Sequence, residues 1–221
     1  MTANKSENSK SYLLQVPFWP NEPNTWRCVP ATTHSILGYM LPDATFTPKE
    51  VNELCGYRGP GTLTGGLESV LRLADLGLAV RWITEWDVEA YATNPGIANR
   101  TNFNPVQYDL RSRNPSGPEA HNAREYLNRG LPLEQRSATN ADIVQHIAAN
   151  RLVRLLVDAA HLYDDADPEY SPHTVLAVGS TEESLIIHDS SKGPFQEIGW
   201  QRFNAAWEGF SRLNYGLTVF G

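Results

Sequence analysis

Cysteine is scarce in this chain: there are two among 221 residues, Cys28 and Cys55. Two cysteines cannot build the disulfide framework of a small secreted scaffold, nor a four-cysteine zinc site. Positive charge is also short. Eighteen Lys and Arg stand against 25 Asp and Glu, for a formal net charge of −7. The basic footprint of a nucleic-acid-binding surface is therefore missing. No apolar run reaches the length needed to cross a bilayer. Met1 to Lys10 contain no apolar stretch of the secretory-signal kind. These absences predict a cytoplasmic protein with reduced cysteines, no membrane span and no nucleic-acid partner.

What is present is an ordinary globular mixture, 41 % hydrophobic and 19 % charged. A chain of this length buries a full core without staples. The pattern predicts a disordered tail over 1–11 and a single domain over 12–221, with an irregular insertion at about 84–136. That insertion is marked by Asn94-Pro95-Gly96, Asn104-Pro105 and Asn114-Pro115-Ser116-Gly117-Pro118. Before it, helices are expected from Pro30 to Met40, from Thr47-Pro48 to Gly56, and through Leu67 to Leu73. After it, Asn140 is expected to cap a helix through Ile147. Strands follow at Leu152 to Val157, Thr174 to Val178, Leu185 to Ile187, Pro194 to Trp200 and Tyr215 to Phe220. Helices gathered in the first half and strands in the second predict an α+β fold.

Three side chains stand out by position. Cys28 sits at the start of a helix, where unsatisfied N–H groups and the helix dipole favour thiolate over thiol. His173 begins one strand, and Asp189 ends the next. With a hairpin centred on Thr181, His173 pairs with Asp189; half a residue later it pairs with Ser190. Either register puts imidazole and carboxylate at the same end of neighbouring strands. There the carboxylate would orient the ring and stabilise its charged form. His188 should point to the other face of its strand. His34 lies on the far side of the helix that Cys28 opens. Cys55 falls in a last helical turn, where the dipole disfavours a thiolate. Most lone cysteines are simply small core residues, and Cys55 reads as one.

These residues resemble a known family. Val16-Pro17-Phe18, a short loop, then Cys28-Val29-Pro30-Ala31-Thr32-Thr33 and an apolar helix resemble the opening of papain-like cysteine peptidases. The likeness is to the bacteriocin-leader-processing, or double-glycine, peptidases. His173-Thr174-Val175-Leu176-Ala177-Val178-Gly179 and Leu185-Ile186-Ile187-His188-Asp189-Ser190 resemble that family's second half, as does Ile198 to Trp207. The resemblance implies a papain-like fold, a helical N-terminal half packed on a C-terminal antiparallel sheet. It also implies a nucleophile at Cys28, a general base at His173 and an orienting acid at Asp189. Its "Val-Pro" register sets Asn21 where the family has its oxyanion glutamine. The chain departs at Val29, where the family has glycine, and at Ser190, where it has proline.

The expected function is thus a cysteine hydrolase that cleaves an amide bond in a peptide or protein through an acyl-enzyme, with no cofactor and no metal. Interception of the acyl-enzyme by a second amine would make the same site a transferase. Two other readings compete. One is a non-enzymatic binding protein on the same fold. The other is a metal hydrolase using the oxygen-rich run Asp164, Asp165, Asp167 and Glu169, which lacks the spacing of a calcium loop.

Overall fold

The computed structural model describes residues 11–22, 25–59, 64–93, 118–163, 172–210 and 216–221. Among these, eight strands make one sheet. They are β1 (Tyr12–Leu13), β2 (Val80–Thr84), β3 (Leu133–Gln135), β4 (Leu152–Asp158), β5 (Pro172–Ser180), β6 (Ser184–Asp189), β7 (Gly193–Gly199) and β8 (Leu217–Phe220). The order is β3-β2-β8-β4-β5-β6-β7, with β1 paired to β5. Every pairing is antiparallel except β2 with β3. The helices are α1 (Cys28–Met40), α2 (Pro48–Leu54), α3 (Gly66–Asp75), α4 (Val88–Thr93), α5 (Pro118–Asn128), α6 (Asn140–Ala148), α7 (Ala159–Tyr163) and α8 (Trp200–Phe210).

Local chemistry accounts for the element boundaries. α2 opens on a capping box: Thr47 Oγ1 accepts from the Glu50 N–H at 3.3 Å, and the Glu50 carboxylate accepts from the Thr47 N–H at 2.7 Å. α6 opens the same way, on Thr139 and Asp142. The cap is therefore Thr139, and Asn140 is the first helical residue. The larger core gathers Ile36, Leu37, Leu73, Ile143, Leu155, Val175, Phe203 and Trp207, all buried. It lies between the sheet and the helices packed against it, which seats α1 and α6 on β5 and α8 on β4. A smaller cluster joins Leu67, Val88, Ala92 and Ala123, with Trp82 packed against both clusters. Of the stretch 84–136, the described residues 84–93 and 118–136 supply α4, α5 and β3; residues 94–117 lie outside the described residues.

β5 runs two residues past the expected strand end at Val178. Gly179 reads as a turn residue in sequence, yet it sits in the strand because β1 is paired to it. A Cβ at Gly179 would lie 2.6 Å from the Tyr12 carbonyl oxygen and 2.9 Å from Leu13 Cδ1. Only glycine lets the entering backbone approach this closely. The Leu14 N–H then donates to the Val178 carbonyl at 2.8 Å. From there the chain runs back along α1. Pro17 lies against Gly38, and Trp19 stacks face to face on His34 with centroids 3.5 Å apart. Gly179→Ala is thus expected to displace β1. It should cost about 1–3 kcal/mol, the usual overpacking penalty, in urea denaturation. Faster exchange at the Leu14 amide would accompany it, and unchanged protection there would refute the argument.

Candidate active site

The loop that leads into α1 ends at Arg27, the helix N-cap, whose side chain makes no capping bond. Its guanidinium instead pairs with Glu22 and lies 4.8 Å over the Tyr57 ring. Its carbonyl accepts from the Ala31 N–H at 2.9 Å. Cys28 is therefore the first residue with helical geometry, and it is half-buried. N–H groups at the first two helical positions have no intrahelical acceptor. The third position is Pro30, which has no N–H. The N–H groups of Cys28 and Val29 are therefore the free donors at the positive end of the helix on which the thiol stands.

His173 is the second residue of β5 and Asp189 the last of β6; both side chains are buried. The hairpin register differs from both predicted forms. Leu176 pairs with His188 and Ala177 with Ile187, but Gly179 pairs with Ile186 and Ser180 with Leu185. A bulge at Val178 accounts for the slip. Extended toward the open end, the register sets Asp189 opposite Val175 and His173 opposite Ser191. His173 and Asp189 are diagonal neighbours on one face, not a directly opposed pair. The bulge is what gives them a common face. In the register of the turn, His173 would fall opposite Lys192, three residues from Asp189, and the two side chains would point apart.

The diagonal is closed by a hydrogen bond from His173 Nε2 to Asp189 Oδ1 at 2.8 Å. The imidazole also lies close enough to the Cys28 thiol for each to shift the other's charge state. With Nε2 committed to the carboxylate, Nδ1 is the nitrogen left for sulfur. Burial works against charge on all three groups, and in each the local partners outweigh it. For Cys28, burial raises the thiol, but His173, then Thr174, bring it below the ordinary thiol value. For His173, burial lowers the imidazole, but Asp189 and Cys28 raise it well above an ordinary histidine. For Asp189, burial raises the carboxyl, but His173, Tyr163 and the Ser191 N–H hold it below the usual carboxylate range. The arrangement favours thiolate, imidazolium and carboxylate in one line.

Other candidates fall elsewhere. The Asn21 N–H donates to the Ser190 carbonyl at 2.7 Å, which ties Asn21 to the turn beside Asp189. Its side chain serves its own loop: Nδ2 donates to the Thr25 carbonyl at 2.9 Å, and Oδ1 accepts from Thr25 Oγ1 at 2.8 Å. One amide hydrogen remains uncommitted among the described residues. His188 lies on the opposite face of β6 from Asp189. It is buried with edge-on contacts to Phe18 and Phe195, and burial pushes it down to about 4. His34 lies buried under Trp19. Cys55 caps the C-terminus of α2, where burial pushes its thiol up to about 11 against a hydrogen bond from Thr33. Asp164, Asp165, Asp167 and Glu169 lie outside the described residues, and no metal-binding cluster occurs among the described ones.

Two partners of Asp189 had no signal in the sequence. The Ser191 N–H donates to Oδ1 at 2.7 Å, and the Tyr163 hydroxyl donates to Oδ2. Tyr163 arrives through α7, in a stretch between two expected strands for which the sequence predicts no element. Asp158 starts that helix by accepting from the Ala160 N–H at 3.1 Å. An acidic cap before Ala159-Ala160-His161-Leu162-Tyr163 is the cue that marks it in retrospect.

No family model matches this chain, and no curated protein matches it. Solved structures do. A protein from Bacillus anthracis described as a candidate C39-like peptidase superposes with a TM-score of 0.56 at 13 % identity, covering 96 % of this chain and 98 % of that one. The peptidase domain of Streptococcus ComA, a bifunctional ABC transporter of a quorum-sensing pathway, gives a TM-score of 0.46 at 15 % identity, covering 95 % and 96 %. The first match runs through the whole chain, so the fold here is the papain-like fold of the C39-like peptidases, as the sequence resemblance implies. No helix among the described residues is long and apolar enough to cross a membrane.

Proposed function

We propose that this chain is a cysteine peptidase, with Cys28 as nucleophile, His173 as general base and acid, and Asp189 as the residue that orients and charges the imidazole. The observation that carries the reading is the buried His173–Asp189 hydrogen bond, with the imidazole set beside the Cys28 thiol at a helix N-terminus. The papain-like fold of the C39-like neighbour supports a peptide or protein substrate.

The thiolate attacks the carbonyl carbon of the scissile amide, and the carbonyl oxygen takes the negative charge. The Cys28 N–H and the second amide hydrogen of Asn21 stabilise that oxygen. The His173 imidazolium gives its proton to the leaving amine, the C–N bond breaks, and a thioester remains. Neutral His173 then takes a proton from water as the oxygen attacks the thioester, releasing the carboxylic acid and restoring thiolate and imidazolium. Asp189 stays ionised throughout and keeps the ring in register.

The test is the contrast between the two thiols. A group titrating at about 11, as Cys55 does, is roughly one part in ten thousand thiolate at pH 7. Iodoacetamide followed by peptide mapping should label Cys28 at least a hundredfold faster than Cys55 at pH 6.5. The Cys28 rate should show a thiolate limb below pH 8. Digestion of a mixed-sequence peptide library, read by mass spectrometry, should persist in EDTA and vanish in Cys28→Ala. Equal labelling with ordinary thiol titration would defeat the reading.

A further inference from the structure

We propose that Tyr163 is a positioning residue of this site, fixing the Asp189 carboxylate from the side opposite His173. The inference rests on the peptidase reading and adds a residue to it.

Asp189 is fully buried, and its two oxygens have different tasks. Oδ1 receives His173 Nε2 at 2.8 Å and the Ser191 N–H at 2.7 Å. Oδ2 receives the Tyr163 hydroxyl. A carboxylate rotates readily about its Cβ–Cγ bond, since that terminal torsion is broad and two-fold. Bonds to Oδ1 alone would leave that rotation weakly opposed. A donor on Oδ2 pins it. The plane of the carboxylate sets the plane of the imidazole, and the imidazole plane aims Nδ1 at the Cys28 sulfur. The phenol thus acts on the nucleophile through two intervening groups.

Tyr163 is itself held from two directions. α7 is anchored at its start by Asp158, which also bonds His161 Nδ1 at 2.9 Å. The Lys192 ammonium lies 4.8 Å over the Tyr163 ring, a placement that polarises the ring and its hydroxyl. Lys192 belongs to the turn that follows Asp189, and its N–H donates to the Asp189 carbonyl at 3.1 Å. The turn therefore clasps Asp189 through its backbone and clasps Tyr163 through a side chain. Burial, then the neighbouring carboxylate, raises the phenol, so it stays protonated and remains a donor at every working pH.

The test is Tyr163→Phe, which removes one oxygen and keeps the ring beneath Lys192. The readout is the pH dependence of Cys28 alkylation by iodoacetamide, with Cys55 as the internal reference. The thiolate limb should rise by about one pH unit and the rate at pH 6 should fall about tenfold, the equivalent of one good hydrogen bond. Cys55 labelling should not change. In an Asp189→Asn background the same substitution should alter the rate less than twofold, because no carboxylate remains to hold. A Tyr163→Phe profile that overlays the wild type overturns the proposal, as do equal effects in both backgrounds. Failure of the peptidase reading looks different: the wild-type protein itself then lacks the low thiolate limb.

Discussion

Asp189→Asn is expected to lower peptide turnover by about two to four orders of magnitude, the range set by loss of an orienting carboxylate behind a catalytic histidine. The substitution is nearly isosteric, so the effect is chemical. The amide cannot balance an imidazolium, and its NH₂ group meets either the His173 Nε2–H or the Tyr163 hydroxyl, both donors toward the native carboxylate. His173 loses the partner that does most to raise it against burial. Cys28 then loses the charged imidazole on which its depressed thiol value depends. Alkylation of Cys28 near pH 6.5 should slow in parallel with turnover.

Stability carries the same signature. His173 is raised above its ordinary value of 6.5, so its contribution is full below pH 6.5 and is lost as pH rises through the higher folded value. Asp189 is held below its ordinary 3.8, so its contribution is full above pH 3.8 and is lost as pH falls through the lower folded value. The pair therefore stabilises the protein most between those two ordinary values. Asp189→Asn should lower the melting temperature most within that window and flatten its pH profile. Parallel wild-type and variant profiles would show that the two groups are not coupled in the folded state.

What the sequence discloses is the part written in local chemistry. The Thr47-Pro48-Lys49-Glu50 opening, the helix that Cys28 begins, and the strands carrying His173 and Asp189 follow from caps, prolines and apolar periodicity. The order of the three candidate residues is legible for the same reason. The His173–Asp189 register is not, because a bulge at Val178 has no residue signature; it follows from β1 pairing beside Gly179, more than 160 residues away in sequence. β3 is equally hidden. A three-residue strand carries too little pattern to declare itself, and it exists through its parallel pairing with Trp82 to Thr84. Tyr163 was concealed because a five-residue helix inside an acidic stretch looks like loop until its cap is seen.

Arg154 is the largest feature that the apolar pattern passes over. It sits within Leu152-Val153-Arg154-Leu155 of a central strand, and it is buried. Its guanidinium donates to Ser69 Oγ at 2.8 Å, to the Gly66 carbonyl at 2.9 Å and, more weakly, to Thr33 Oγ1 at 3.4 Å. It also lies 5.2 Å from the centre of the Phe220 ring. One side chain thereby ties β4 to α1 and α3, and α1 is the helix that presents Cys28 to the neighbouring strand β5. Arg154→Met fills similar volume but takes the charged donor from Ser69 Oγ and Thr33 Oγ1 in the core, leaving the Gly66 carbonyl only the Ser69 hydroxyl at 2.7 Å. Hydrogen bonds from a charged donor contribute about 1.5–3 kcal/mol each, so a loss of about 3 kcal/mol is expected in urea denaturation. Arg154→Lys should fall between, since a single ammonium cannot reproduce the fork. Cys55 offers an independent gauge. It is buried beside Thr33 and within the field of Arg154, so it reacts only when this region opens. A loss of about 3 kcal/mol corresponds to roughly a hundredfold larger open population, and Cys55 alkylation under native conditions should rise accordingly. A Met variant with wild-type midpoint and wild-type Cys55 protection would show that the guanidinium is a passenger in the core. It would also leave the seating of α1, and with it the placement of Cys28, to apolar packing alone.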